Sequence, residues 1–263
     1  MLITSPANAQ LRRARRVRAG REPGLVFVEG ERLAEECLQS GLALVAAFHP
    51  VALSPRAAAL VAELARRGCP LYPVTPPALA AVSDTVSPQG MILLAARPES
   101  GLGLALGRGA GAPLVVGLDA LQDPGNVGTI VRTAEAAGAR AVVALAGTAD
   151  PFAPKALRGA MGSAFRLPIP ERVAAGELLA ACRAAGVAVV ATAPGAAQDY
   201  TAYDWRRPSL LLLGNEARGL GPELLAGADV SVRVPLRPPV ESLNVAAAAA
   251  AILFEAARQR SQI

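Results

Sequence analysis

Three segments in the C-terminal half hold the side chains best placed for chemistry: LQDPGNVGTIVRTAEAAGA (121–139), LLLLGNEARGLGPELL (210–225) and VRVPLRPPVESLNVAAAAAAILFEAARQ (232–259). Each runs from an apolar, strand-like stretch through a turn rich in Gly, Asn and Pro into a helical pattern. Polar groups therefore gather at strand ends. In an open α/β sheet, the crevice outside the carboxyl ends of the strands is where ligands bind, so one composite site is expected. Read singly, the residues have plain structural roles. Asn126 reads as the N-cap of its helix, with Gly138 ending it. Arg132 reads as an exposed helix arginine, and Glu216 as a charge favourable at a helix N-terminus. Ser242 and Asn244 read as the N-cap region of the last helix. Gly214 ends an apolar strand, where a missing side chain lets a ligand approach the backbone. His49, the only histidine, follows a run that reads as buried strand, so any proton transfer must use another group.

Taken together, in order and spacing, the three segments resemble the motifs of the SpoU/TrmH family of RNA ribose 2'-O-methyltransferases. The family's first motif is an Asn, a Gly and an Arg at the start of a helix, here Asn126, Gly128 and Arg132. Its second is G-N-E followed by Gly-Leu, here Gly214, Asn215, Glu216, Gly219 and Leu220. The third is an apolar-Pro-apolar step, then S-L-N and a long helix, here Val234, Pro235, Leu236, Ser242, Leu243 and Asn244. Where the family usually has Met after the Pro and a Gly two residues later, this chain has Leu236 and Pro238. Pro238 and Pro239 fix two φ angles and remove two amide donors, which makes for a stiffer loop.

The resemblance implies methyl transfer from S-adenosylmethionine to a ribose 2'-oxygen in RNA. Because the sulfonium is already an excellent leaving group, the protein must align sulfur, methyl and oxygen and activate the hydroxyl, and neither task needs a metal. It makes Arg132 the catalytic residue, with Asn126, Glu216, Ser242 and Asn244 beside it. It also puts Leu213, Gly214, Asn215, Gly219, Val234, Leu236 and Leu243 around the cofactor. Deprotonating a guanidinium of pKa about 13.8 near neutrality would cost roughly 9 kcal/mol. Arg132 is therefore expected to stay charged, grip a phosphate or the 2'-oxygen, and stabilise the developing alkoxide. Glu216 is the competing candidate base.

The strands that must position these groups read as 114–119, 141–146, 187–193, 210–214 and 230–235, with helices after Asn126, near 155–163 and from Asn244 to Arg260. This alternation argues for an α/β domain with a parallel sheet covered on both faces. No G-x-G-x-x-G follows its first strand, so a common Rossmann site is not expected. The resemblance implies instead a deep trefoil knot of the SPOUT type, a bent cofactor and a homodimer, for which the Ala-rich last helix offers a smooth face.

The Gly-rich stretch ESGLGLALGRGAGAP reads as a linker, giving domains at 1–98 and 113–263 joined by 99–112. Upstream, strands at 25–30, 43–50, 70–74 and 90–96 alternate with helical patterns at 31–40, 54–67 and 76–82, a small α/β domain. Its start and its later VSDTVSPQGMILLA resemble the RNA substrate-binding domain ahead of many family members, which is L30e-like in fold. From Asn8 to Arg21 lie Arg12, Arg13, Arg15, Arg16, Arg18 and Arg21 with no acidic residue. That run is a candidate phosphate contact; Lys155 and Arg158 are further candidates.

With 263 residues, 52% of them apolar, and a net charge of +5, the chain can build substantial cores and is compatible with a nucleic-acid partner. Cys37, Cys69 and Cys182 have neither metal nor disulfide spacing, so a reduced cytoplasm and no metal are expected. The longest apolar run, Val245 to Phe254, is too short to span a bilayer. Ribosomal RNA is the expected substrate; transfer RNA, or a non-catalytic RNA-binding role in ribosome assembly, are the alternatives.

Overall fold

The computed structural model describes residues 2–85, 90–107 and 111–261. Residues 86–89 of the VSDTVSPQG stretch and 108–110 of the Gly-rich stretch lie outside them. The chain divides into two compact units, Met1–Pro98 with Phe152–Arg166, and Glu99–Pro151 with Leu167–Ile263.

The first unit contains α1 (Ala9–Arg18), β1 (Leu25–Glu29), α2 (Glu31–Gln39), β2 (Leu44–Pro50), α3 (Pro55–Arg66), β3 (Leu71–Val74), α4 (Pro76–Ala80) and β4 (Ile92–Ala96). Its sheet has the order β1-β4-β2-β3, antiparallel except for β2 and β3. Leu11, Ala14 and Val17 form the buried seam of α1 and join Phe27, Phe48 and Leu94 in one core. The arginines of α1 occupy the remaining faces, as an amphipathic helix requires. Glu29, buried at the end of β1, accepts from Asp84 N at 2.8 Å and Thr85 Oγ1 at 2.9 Å, and from the Ser83 hydroxyl.

The second unit carries α5 (Leu102–Leu106), β5 (Leu114–Leu118), α6 (Pro124–Ala136) and β6 (Ala141–Ala144). After β6 the chain forms α7 (Pro154–Ala160) and a 3₁₀ turn at Ser163–Phe165, which group with the first unit. There Arg97 lies 4.4 Å over the Phe152 ring, Arg158 pairs with Asp84 at 2.9 Å, and Arg166 pairs with Glu36 at 2.6 Å. The second unit resumes with α8 (Ala175–Ala185), β7 (Ala188–Thr192), β8 (Gln198–Asp199), β9 (Ser209–Leu213), α9 (Pro222–Ala226), β10 (Val230–Arg233) and α10 (Val245–Arg260). The six strands are parallel, in the order β6-β5-β9-β7-β10-β8. Every residue of β5, β6 and β9 is buried, as in a sheet covered on both faces.

Two expectations need correcting. The stretch read as a linker contains α5, whose Ala105 and Leu106 are buried in the core of the second unit beside Leu178 and Leu179. The cap of α6 is Asp123, whose side chain accepts from Gly125 N at 2.9 Å, and not Asn126. Pro124 at the first helical position has no N–H to satisfy, which moves the start three residues earlier. Asn126 instead sits in the first turn.

Candidate active site

Parallel strands put the carboxyl ends of β5, β7, β9 and β10 on one edge of the sheet, and four loops meet there. The turn after β9 is closed by reciprocal backbone bonds, Asn215 N to Gly219 O and Gly219 N to Asn215 O, both 2.9 Å. Asn215 Oδ1 accepts from Ala217 N at 3.0 Å and Arg218 N at 3.1 Å, an Asx-type turn. A Cβ on Gly214 would stand 2.3 Å from the Gly219 carbonyl carbon. Glycine is therefore required at 214 by closure of the turn itself. Asn215 Nδ2 then ties this turn to the loop after β5, donating to Ala120 O at 2.7 Å. Ala120 has φ +52°, which costs an L-residue about 1–2 kcal/mol. Its carbonyl offsets this by also accepting from Gln122 Nε2 at 2.8 Å.

One chain of side-chain hydrogen bonds unites all three motifs. Asn244 caps α10, its Oδ1 accepting from Ala246 N at 2.9 Å and Ala247 N at 3.3 Å. Its Nδ2 donates to Asn126 Oδ1 at 3.1 Å, and Asn126 Nδ2 donates to Glu216 Oε1 at 3.0 Å. Donors thus point one way, from the N-terminus of α10 to a carboxylate. Burial pushes the Glu216 carboxyl up, but the amide of Asn126 and the backbone N–H groups of Glu216, Gln122 and Asp123 outweigh it. The net result lies below the usual carboxylate range. A carboxylate so well satisfied is a weak base, so the geometry makes Glu216 an anchor for Asn126.

The loops enclose a cavity of about 760 Å³, within the roughly 300–1,000 Å³ usual for small-molecule sites. Leu213, Gly214, Asn215, Gly219, Val234, Leu236 and Leu243 all line it, as do Glu216, Ser242 and Asn244. Apolar side chains beside strand-end backbone groups suit a flat, neutral purine, so the residues present fit S-adenosylmethionine. The reading of single residues missed Thr192, Ala193 and Pro194 at the end of β7, and Val245, Ala248 and Ile252 on α10, which also line the cavity. The first three follow the same strand-to-turn pattern as the motifs, and that pattern was the available signal. A second cavity, about 570 Å³, lies at the amino ends of β7 and β10 beside Cys182, Arg207 and Asp229. None of the motif segments reaches it.

Arg132 is not on the cavity wall. Six residues beyond Asn126, it lies about 9 Å along α6 and roughly 240° around it. The side chain is exposed and makes no hydrogen bond or ion pair among the described residues. Most of the arginines of α1 are engaged. Arg13 and Arg16 bind Glu22 at 3.1 and 2.7 Å, Arg15 donates to Pro6 O, and Arg18 donates to Val82 O at 2.9 Å. Arg12 is exposed with no partner among the described residues. Arg158 is held by Asp84. His49 is half-buried on β2, its Nδ1 2.9 Å from Pro50 O. The three cysteines are free and buried, and burial raises the Cys37 and Cys182 thiols to about 12 and Cys69 to about 11.

Comparisons with known proteins agree with this arrangement. Residues 113–254 match the SpoU rRNA Methylase family, and residues 27–101 match a domain described as RNA 2'-O ribose methyltransferase substrate binding. The 23S rRNA (guanosine(2553)-2'-O)-methyltransferase RlmP of Bacillus subtilis is 37% identical over 87% of this chain and 86% of its own length. An rRNA methyltransferase from Sinorhizobium meliloti, solved with AdoMet bound, is 31% identical and superposes with a TM-score of 0.87, covering 98% of this chain and 97% of its own. The SpoU methyltransferase AviRb of Streptomyces viridochromogenes, solved with the cofactor AdoMet, is 29% identical, with a TM-score of 0.86 over 97% of this chain and 98% of its own. With its three motifs joined at one cavity and the matched family spanning the unit that holds them, the chain belongs to the SpoU family of RNA methyltransferases.

Proposed function

We propose that the protein transfers a methyl group from S-adenosylmethionine to a ribose 2'-hydroxyl of ribosomal RNA. The observation that carries this reading is the hydrogen-bonded line Asn244–Asn126–Glu216 at the rim of a cavity suited to the cofactor. When bound, the cofactor supplies an electrophilic methyl on a sulfonium. The chain supplies position and electrostatics. Leu213, Val234, Leu236 and Leu243 pack the purine, and the closed turn 214–219 presents backbone groups to it. Asn126 and Asn244, each locked in one orientation, fix the rim where the ribose must lie. Arg132, off the cavity wall and free of partners among the described residues, meets the RNA rather than the cofactor. Its charge stabilises the alkoxide developing on the 2'-oxygen as the proton passes to solvent.

The finer picture follows the family. The loops around the cavity form a deep trefoil knot, and two copies associate through α10, where Phe254 is 53% exposed. The first unit binds RNA, with Arg12 as its free cation on α1. Three free, buried thiols suit the reducing cytoplasm, and among the described residues no helix is long and apolar enough to cross a membrane. The test is methyl-labelled S-adenosylmethionine with undermodified ribosomal or transfer RNA, followed by digestion and nucleoside mass analysis. A 2'-O-methylated nucleoside from ribosomal RNA is expected. Label in transfer RNA alone would move the substrate, and RNA binding without cofactor binding would leave a non-catalytic assembly role.

A further inference from the structure

We propose that Arg218 holds a backbone phosphate of the RNA at the mouth of the cofactor cavity, a step that rests on the methyltransferase reading above. Its peptide N–H is fixed by Asn215 Oδ1 at 3.1 Å, and the adjoining Gly219 is bonded in both directions to Asn215 at 2.9 Å. The base of the side chain is thus preorganised, while the side chain lines the cavity, is exposed, and has no hydrogen bond or ion pair among the described residues. The other arginine on that wall, Arg233, is held by Asp199 at 2.8 Å. Two carboxylates, Glu216 and Glu241, share the wall. A polyanion approaching them is repelled unless a cation answers, and Arg218 is the free one there. A guanidinium fork also matches phosphate geometry bidentately. The carboxylate of the cofactor offers the same anionic-oxygen chemistry, so the experiment must separate the two.

The full-length protein and its Arg218→Ala variant are compared for RNA binding across a salt series, for cofactor binding by calorimetry without RNA, and for methylation kinetics. Arg206→Ala serves as control, since Arg206 is an exposed arginine paired, among the described residues, only with Asp204 and is absent from the cavity wall. The expected result for Arg218→Ala is a slope of log affinity against log salt shallower by about 0.7–0.9, a KM for RNA raised on the order of tenfold, and an unchanged cofactor Kd. Arg218→Lys should restore the slope and only part of the affinity. An unchanged salt slope overturns the proposal, and if cofactor binding weakens at the same time, Arg218 belongs to the cofactor's carboxylate. Should wild-type protein bind RNA but transfer no methyl, the methyltransferase reading fails, while the salt slope still decides the role of Arg218.

Discussion

Asn126 both donates and accepts within the line from Asn244 to Glu216, so the charge on Glu216 decides which way the amide faces. In Glu216→Gln, an NH₂ replaces one carboxylate oxygen, so at least one of its donors, Gln122 N or Asn126 Nδ2 among them, loses its acceptor. Because these bonds are exposed, a loss of only about 0.5–1.5 kcal/mol is expected near neutrality, read as a lower unfolding temperature. The pH dependence follows from the lowered pKa of Glu216. Its contribution is complete above the ordinary value of 4.5 and is lost as pH falls through the lower folded value. Wild type and variant should therefore converge in acid, and a gap constant with pH would refute the anchoring role. For Arg132→Ala, methylation should drop roughly 100- to 1,000-fold with cofactor affinity unchanged by calorimetry. Weakened cofactor binding would instead put Arg132 at the cavity. Asn126, Glu216 and Asn244 were legible as one site because polar residues at successive strand ends must meet. Their order within the line was not, since a hydrogen-bond direction between residues 118 apart depends on backbone placement.

At the scale of elements, α10 depends on a residue with two duties. Asn244→Ala removes the cap and should cost about 1 kcal/mol, whereas Asn244→Asp keeps an acceptor for Ala246 and Ala247 but loses the donor to Asn126. The Asp variant should thus unfold close to wild type and methylate poorly; equal losses from both substitutions would reduce Asn244 to a cap. The other end of α10 is clamped by Gln259, which accepts from Trp205 N at 2.9 Å, and by Arg260, which donates to Arg207 O at 2.9 Å. The main strands, α6 and α10 were legible from apolar runs and strand-to-turn spacing, although the same reading passed over α8. α5 was not, because glycine-rich composition hides a five-residue helix that is stabilised by burial of Ala105 and Leu106 and not by propensity. The pairing of the α1 arginines was equally hidden, since Glu22 reaches Arg13 and Arg16 only after the chain reverses at Gly20, φ +69°.

For the whole molecule, composition and βα alternation indicated two α/β units and a parallel sheet, because a strand buried on both faces has little choice but an unbroken apolar run. Association is a matter of exposed surface. Phe254→Asp on α10 should shift the proposed dimer to monomer in light scattering, and a wild type that is monomeric at all micromolar concentrations would remove the dimer from the proposal. The return of Phe152–Arg166 to the first unit bears on how the protein is made. The polypeptide passes between the units three times, at 98/99, 151/152 and 166/167. During synthesis the N-terminal unit stays unfinished until residue 166 has emerged, by which time β5, α6 and β6 are already outside the ribosome. A gene cut at codon 98 therefore severs a unit and does not release one, and grafting this RNA-binding module onto another enzyme requires carrying its distant arm as well.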